Sequence, residues 1–118
     1  MKVLNIGILS QELMRERTLA IAAGKLKPKP NDPKIWFPSI KSMAQVLSDE
    51  NQALLKVIAD TKPNSISELQ AATGRALSNL SRTLKTLANY GIIFLVKENN
   101  RIKPVAKATT FHVTFGIE

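Results

Sequence analysis

The stretch SISELQAATGRALSNLSRTLKTLANYGI, residues 65–92, carries two helical patterns separated by a glycine. Asn64, Ser65 and Ile66 read as a short extended piece. Ser67 stands before Glu68, Leu69 and Gln70 in capping-box spacing, so a helix of about two turns is expected to begin there. Gly74 ends it, because glycine accepts the left-handed backbone that closes helices without a steric cost. A tight turn at Gly74 and Arg75 leads to a second helix from Ala76 to Tyr90, closed by Gly91. Along it Leu77, Leu80, Leu84, Leu87 and Ala88 recur at helical spacing, a stripe expected to be buried. The other side holds Ser78, Asn79, Ser81, Arg82, Lys85 and Thr86, each able to donate a hydrogen bond.

Upstream, Leu54, Leu55, Val57 and Ile58 mark a helix over Asp49–Thr61, opened by Ser48 or Asp49 and stopped by Lys62-Pro63. Ser39 is positioned to cap a short helix in which Ile40, Met43 and Leu47 share one side, and Trp36-Phe37 is expected to anchor that segment to the core, the alternative being an exposed aromatic patch for a partner. KLKPKPNDPK, residues 25–34, holds three prolines and four lysines and reads as a linker. Before it, KVLNIGIL (2–9) reads as a strand, and residues 10–23 as a helix capped by Ser10 and stopped by Gly24. Leu13, Met14, Ala20 and Ile21 make only a partial apolar stripe, so that helix needs a surface to lie on.

Downstream, Ile92–Val96 is a short apolar run rich in β-branched and aromatic residues, which reads as a strand. Glu98-Asn99-Asn100 supplies a turn. Arg101–Ala106 is expected to return antiparallel, with Pro104 confining it to an edge or a bulge. Phe111, Val113 and Phe115 alternate with Thr110, His112 and Thr114, the pattern of a strand buried on one face.

Composition narrows the function classes. The 118 residues contain 17 Lys/Arg, 9 Asp/Glu, one histidine and no cysteine, for a net charge of +8. That surplus draws polyanions, nucleic acid before anionic membrane. Residues 1–34 and 63–118 each carry seven bases against three acids, and the middle is neutral. Disulfides and thiolate metal sites are excluded, a single imidazole is too little for a histidine zinc centre, and no cofactor is expected. No apolar run is long enough to span a membrane, and Gln11, Glu12, Arg15, Glu16 and Arg17 break the amino-terminal run before it becomes a signal-peptide core, so a soluble cytoplasmic protein is expected.

Helix, short extended piece, short helix, turn, longer helix and basic hairpin make an α+β layout, that of a winged helix-turn-helix with a three-helix core and a carboxy-terminal β-hairpin wing. Residues 35–118 would form this domain, and 1–34 an amino-terminal strand-helix extension with its linker. In such a fold the longer helix enters the major groove and the hairpin lies along the backbone or minor groove. Arg82 suits a bidentate contact to guanine and Asn79 one to adenine, while Ser78 and Ser81 reach phosphate or base edges. Lys85 and Arg75 suit phosphate contacts. Lys97, Arg101, Lys103 and Lys107 gather near the hairpin turn, where they contact phosphates or simply form a solvated rim.

The span from Lys34 to Ile93 also resembles the small winged helix-turn-helix regulators of bacteria and archaea related to the MarR and ArsR types. The likeness is carried by Leu54-Leu55-Lys56-Val57-Ile58, Ser65-Ile66-Ser67-Glu68-Leu69, Gly74-Arg75, Asn79-Leu80-Ser81-Arg82, Leu84-Lys85-Thr86-Leu87 and Tyr90-Gly91-Ile92. It implies that Ser78, Asn79, Ser81 and Arg82 lie on a recognition helix. Some relatives resemble the antidote half of toxin-antitoxin pairs, which implies a toxin as an alternative partner. The chain departs from ordinary MarR-type proteins in lacking long flanking dimerisation helices.

A twofold homodimer is expected because one helix contacts few base pairs, and the spare segments for its surface are strand 2–9, helix 10–23 and the Trp36 region. An enzyme is not supported: the six glutamates and three aspartates are scattered, no imidazole or metal set accompanies them, and the five glycines are isolated. A protein-interaction module is the main rival, although one docking through residues 76–89 should expose apolar side chains there. An RNA reader would need stacking aromatics, and those present are placed for packing.

Overall fold

The computed structural model describes residues 2–117. Its elements are β1 (Lys2–Ile8), α1 (Gln11–Ala22), β2 (Ile35–Phe37), α2 (Ile40–Val46), α3 (Asp49–Thr61), α4 (Ile66–Thr73), α5 (Leu77–Asn89), β3 (Ile93–Glu98), β4 (Arg101–Ala106) and β5 (Ala108–Thr114). The architecture is mixed α and β, with five helices among the described residues.

Serine hydroxyls start four of the helices. Ser10, Ser39, Ser48 and Ser65 each accept a bond from the backbone N–H three residues on, at the heads of α1, α2, α3 and α4. Such a bond satisfies a donor that the helix itself cannot pair. Ser65 therefore takes the role expected of Ser67. Its Oγ accepts from Glu68 N–H at 3.1 Å, while the Glu68 carboxylate accepts from Asn64 N–H at 3.2 Å. Ile66, expected to be extended, is already helical. Gly74 closes α4 with φ 71°, as its position implies.

Strand pairing differs from a linear reading of the chain. β1 is the central strand of a sheet ordered β2-β1-β5, parallel to both neighbours. Parallel neighbours need a long crossover. Helix α1 and the proline-lysine segment supply the one from β1 to β2, and everything from α2 to β4 separates β2 from β5. The segment 25–34 was expected to set a strand-helix extension apart, yet Ile6 and Ile8 belong to one hydrophobic cluster with Ile35, Phe37, Leu54, Leu80 and Leu84. No core boundary falls at residue 34. β5 pairs with β1 from Lys2 to Gly7 on one side and β2 from Ile6 to Ile8 on the other, so the second half of β1 lies between two strands.

Alternation along the sheet fixes two faces. Ile6, Ile8, Ile35 and Phe37 point to the core, where Phe37 is fully buried and stacks on Tyr90 with ring centroids 4.4 Å apart. Gly7 and Trp36 are register partners on the other face. The Trp36 ring fills the space a side chain at position 7 would need, and the Arg17 guanidinium of α1 lies 5.1 Å from the ring centroid. Of the expected Trp36-Phe37 anchor, Phe37 holds the core and Trp36 holds α1.

Leu80, Leu84 and Leu87 of α5 are buried, as their spacing implies, but Leu77 is 51% exposed. It is the first residue of α5, and the stripe is covered only from Leu80 onward. The apolar face expected to be buried in β5 is also only partly covered: Phe111 is half-buried, Val113 is 46% exposed and Phe115 is 50% exposed. Among the described residues, no helix is long and apolar enough to cross a membrane.

Candidate nucleic-acid interface

Between Glu68 and Glu98 the sequence has no acidic residue, while Arg75, Arg82, Lys85 and Lys97 fall inside that interval. The middle of the interval is α5, whose amphipathic pattern decides what it shows to solvent. With about 3.6 residues per turn, residues spaced three or four apart share a face. Burying Leu80, Leu84 and Leu87 therefore turns Ser78, Arg82 and Lys85 outward as one stripe, with Ser81 and Asn79 flanking it. All five are exposed.

The amino end of α5 differs from the other helix starts. Ala76 occupies its cap position and forms no side-chain bond, and the first turn holds no acid. By contrast α1, α3 and α4 combine a serine cap with Glu12, Asp49 and Glu50, or Glu68 in the first turn. The uncapped end leaves backbone N–H donors and the positive end of the helix dipole without a counter-group from the chain.

Arg75, in the turn before α5, folds back onto it. Its Nε and Nη2 donate to Asn79 Oδ1 at 2.9 and 2.6 Å, and Nη2 also donates to Thr83 Oγ1 at 3.2 Å. Its Nη1 is buried without a hydrogen-bond partner among the described residues. The guanidinium is thus held against the helix in this conformation and not extended toward a phosphate. Arginine has donors only, so the amide of Asn79 must turn its oxygen inward and its Nδ2 outward. That oxygen already accepts two bonds, which use both its lone pairs. Asn79 then presents donors alone, and the adenine pairing expected of it needs an oxygen acceptor as well.

The hairpin of β3 and β4 follows. Asn99 and Asn100 adopt φ 48° and 63°, the two left-handed residues that a tight two-residue hairpin requires and that asparagine tolerates. Pairing is regular from Ile93↔Ala106 to Glu98↔Arg101, and Pro104 sits without a bulge opposite Leu95. Pro104 and Ile93 are buried on the side packed toward the helices. The cations divide between faces: Lys97 shares one with Ile102, while Arg101 and Lys103 share the other with Glu98 and Val96. Lys97 and Arg101 are exposed and Lys103 is half-buried. Lys107 leaves the group altogether, its ammonium lying 4.4 Å from the centroid of Phe94.

Among the described residues the ion pairs are Arg17–Asp32 and Lys56–Asp60, so none of Arg82, Lys85, Lys97, Arg101 or Lys103 is held in an ion pair, although Glu98 is the register partner of Arg101. Sequence reasoning did not foresee the part of Thr83, which lies between the polar and buried faces and holds Arg75. Its signal was its spacing, four residues after Asn79 and eight after Arg75.

No curated protein matches the chain. A solved structure, that of a predicted DNA-binding transcriptional regulator from E. coli, is similar in fold, with 18% sequence identity over 81% of this chain and 84% of that one and a TM-score of 0.50. The family model HVO_A0114 matches residues 46–113, more than half of the chain and a span that includes α3, α4, α5 and the hairpin. This chain therefore belongs to the HVO_A0114 family.

Proposed function

We propose that this protein is a sequence-specific reader of double-stranded DNA that regulates transcription from the cytoplasm, as a repressor of a nearby promoter that can be its own. The observation that carries this reading is α5: an exposed stripe of Ser78, Arg82 and Lys85, without acids, ion-pair partners or a capped amino end. Such a helix fits a major groove, where Arg82 can form the forked contact to guanine and Ser78 and Ser81 can bond base edges or phosphates. The uncapped N–H groups suit a phosphate oxygen. Lys85 adds a phosphate contact, and the hairpin acts as a wing through Arg101 and Lys103 on one face and Lys97 on the other. The similar fold of a predicted DNA-binding regulator and the resemblance to MarR- and ArsR-type regulators support the same reading.

In this account Arg75 acts on DNA through Asn79, which offers its two N–H donors to acceptor atoms such as guanine O6 and N7 or thymine O4. Fluorescence anisotropy tests the proposal with duplex from the gene's own upstream region against an unrelated duplex of equal length across a salt series. The expected result is tighter binding to the upstream duplex and a steep loss of affinity for both with salt. Equal affinity for the two, with weak salt dependence, would overturn it.

A second reading is favoured by the hairpin. Phe94 and Val96 share one face of the hairpin and are both exposed, Phe94 by 50%, which is unusual for a surface meant only for phosphates. In that reading the protein is an antitoxin-like module that holds a partner protein on the hairpin, with DNA binding secondary.

A further inference from the structure

We infer that two copies of this chain join through their β5 strands, making one continuous six-stranded sheet in the order β2-β1-β5-β5-β1-β2. The observation behind this is a free strand edge without the usual protection. β5 pairs with β1 on one side only, and its outer edge has no partner among the described residues. Unpaired edges are ordinarily guarded by lysine, proline, inward charges or short length. β5 is seven residues long, and the sequence from Ala108 to Ile117, ATTFHVTFGI, holds no proline, acid, lysine or arginine. In a chain of net charge +8, a strand without lysine or arginine lets a second equally cationic copy approach with reduced repulsion.

The side-chain pattern selects the occupant. An antiparallel pair about a twofold axis at His112 sets Phe111 opposite the partner's Val113, and Thr110 opposite the partner's Thr114. Aromatic against β-branched, and threonine against threonine, are favourable cross-strand pairs. The same register sets Phe115 beside the partner's Thr109. Thr109, Phe111 and Val113 line an open groove of about 810 Å³ whose other wall is formed by Met43, Leu47 and Leu55. Phe115 and Ile117, 50% and 91% exposed, are the side chains that this register delivers to that groove. Edge pairing with groove filling extends the contact toward the roughly 800 Å² per partner of a standard stable interface.

The absence of native cysteine supplies a direct test, since any disulfide made by a single introduced cysteine joins two molecules. His112→Cys lies on the exposed face, away from the core, and across the axis its Cα atoms fall within the roughly 4.4–6.8 Å that a disulfide spans. Sedimentation equilibrium of the full chain at micromolar concentration should give a dimer, and oxidised His112→Cys should run as a covalent dimer while a control on α4 away from the groove, the exposed Ala71→Cys, does not. Val113→Lys should give a monomer with an unchanged far-ultraviolet circular dichroism spectrum. A monomeric wild type, or a dimer that neither cross-links at position 112 nor dissociates with Val113→Lys, would overturn the inference. The result is independent of DNA binding.

Discussion

Replacing Arg75 with methionine removes the three hydrogen bonds that hold Asn79 and Thr83 while keeping most of the apolar stem against α5. Asn79 Oδ1 is then free to accept, and its amide regains the donor-acceptor pair that matches adenine N7 and N6. A good bidentate pair is worth about 1–3 kcal/mol against the wrong base, or roughly a 5- to 150-fold change in relative affinity. Wild type should favour a guanine or thymine acceptor at the position Asn79 faces, and Arg75→Met should move the preference at that position toward adenine by this amount. Loss of one cation should also lower affinity for every duplex by a common factor, leaving preference at the other positions unchanged. The assay is competition anisotropy with a set of duplexes carrying each base in turn across the bound site, for both proteins. An adenine preference already present in wild type, or a base profile identical in the two proteins, would refute the argument that Arg75 saturates the Asn79 oxygen.

Gly7→Ala should destabilise the sheet by about 1–3 kcal/mol, since the new Cβ would fall against Trp36 Cζ3 and lie 2.6 Å from Cε3; urea unfolding followed by the fluorescence of the single tryptophan measures it. Lys97→Ala combined with Arg101→Ala should weaken binding to all duplexes alike and reduce the slope of log K against log salt by about two, if each contacts one phosphate. Asp32 accepts from Lys29 N–H at 2.8 Å and from Arg17 Nη2 at 3.3 Å, and these bonds, the backbone one foremost, hold its carboxyl below the ordinary carboxylate range. Because the folded value is depressed, the contribution is complete above the range of an unfolded aspartate and is lost as pH falls through the folded value. Acid should therefore release the 25–34 segment from Arg17 and shift Trp36 emission before global unfolding, whereas Asp32→Asn should lack that early step.

The parts of the fold that were legible in the sequence are those fixed by local periodicity. Leu80, Leu84 and Leu87 define the buried side of α5 by spacing alone, and Asn99-Asn100 marks the hairpin because those residues accept left-handed backbone. Ser65 and Ser67 both sit at plausible helix starts, and only the bonds to Glu68 and from Asn64 separate them. The sheet was not legible, because β1 and β5 pair across about a hundred residues and neither segment encodes its partner. Consequently residues 2–8 read as an outlying extension when they are the middle of the sheet, and the β5 alternation read as burial when half that face lacks a cover. The exposed residues of α5 could be named from the sequence, but the state of Asn79 could not. It depends on an arginine outside the helix and on how that side chain folds back.

On the proposed function, the exposed stripe of α5 reads bases. Its most direct test compares wild type, Arg82→Ala and Lys41→Ala for discrimination between upstream and unrelated duplex at fixed salt, Lys41 being an exposed cation on α2. Arg82→Ala should lose about 1–3 kcal/mol of discrimination while Lys41→Ala retains it. If both substitutions lower affinity equally and leave discrimination intact, α5 does not read sequence, and its positive charge serves only general attraction.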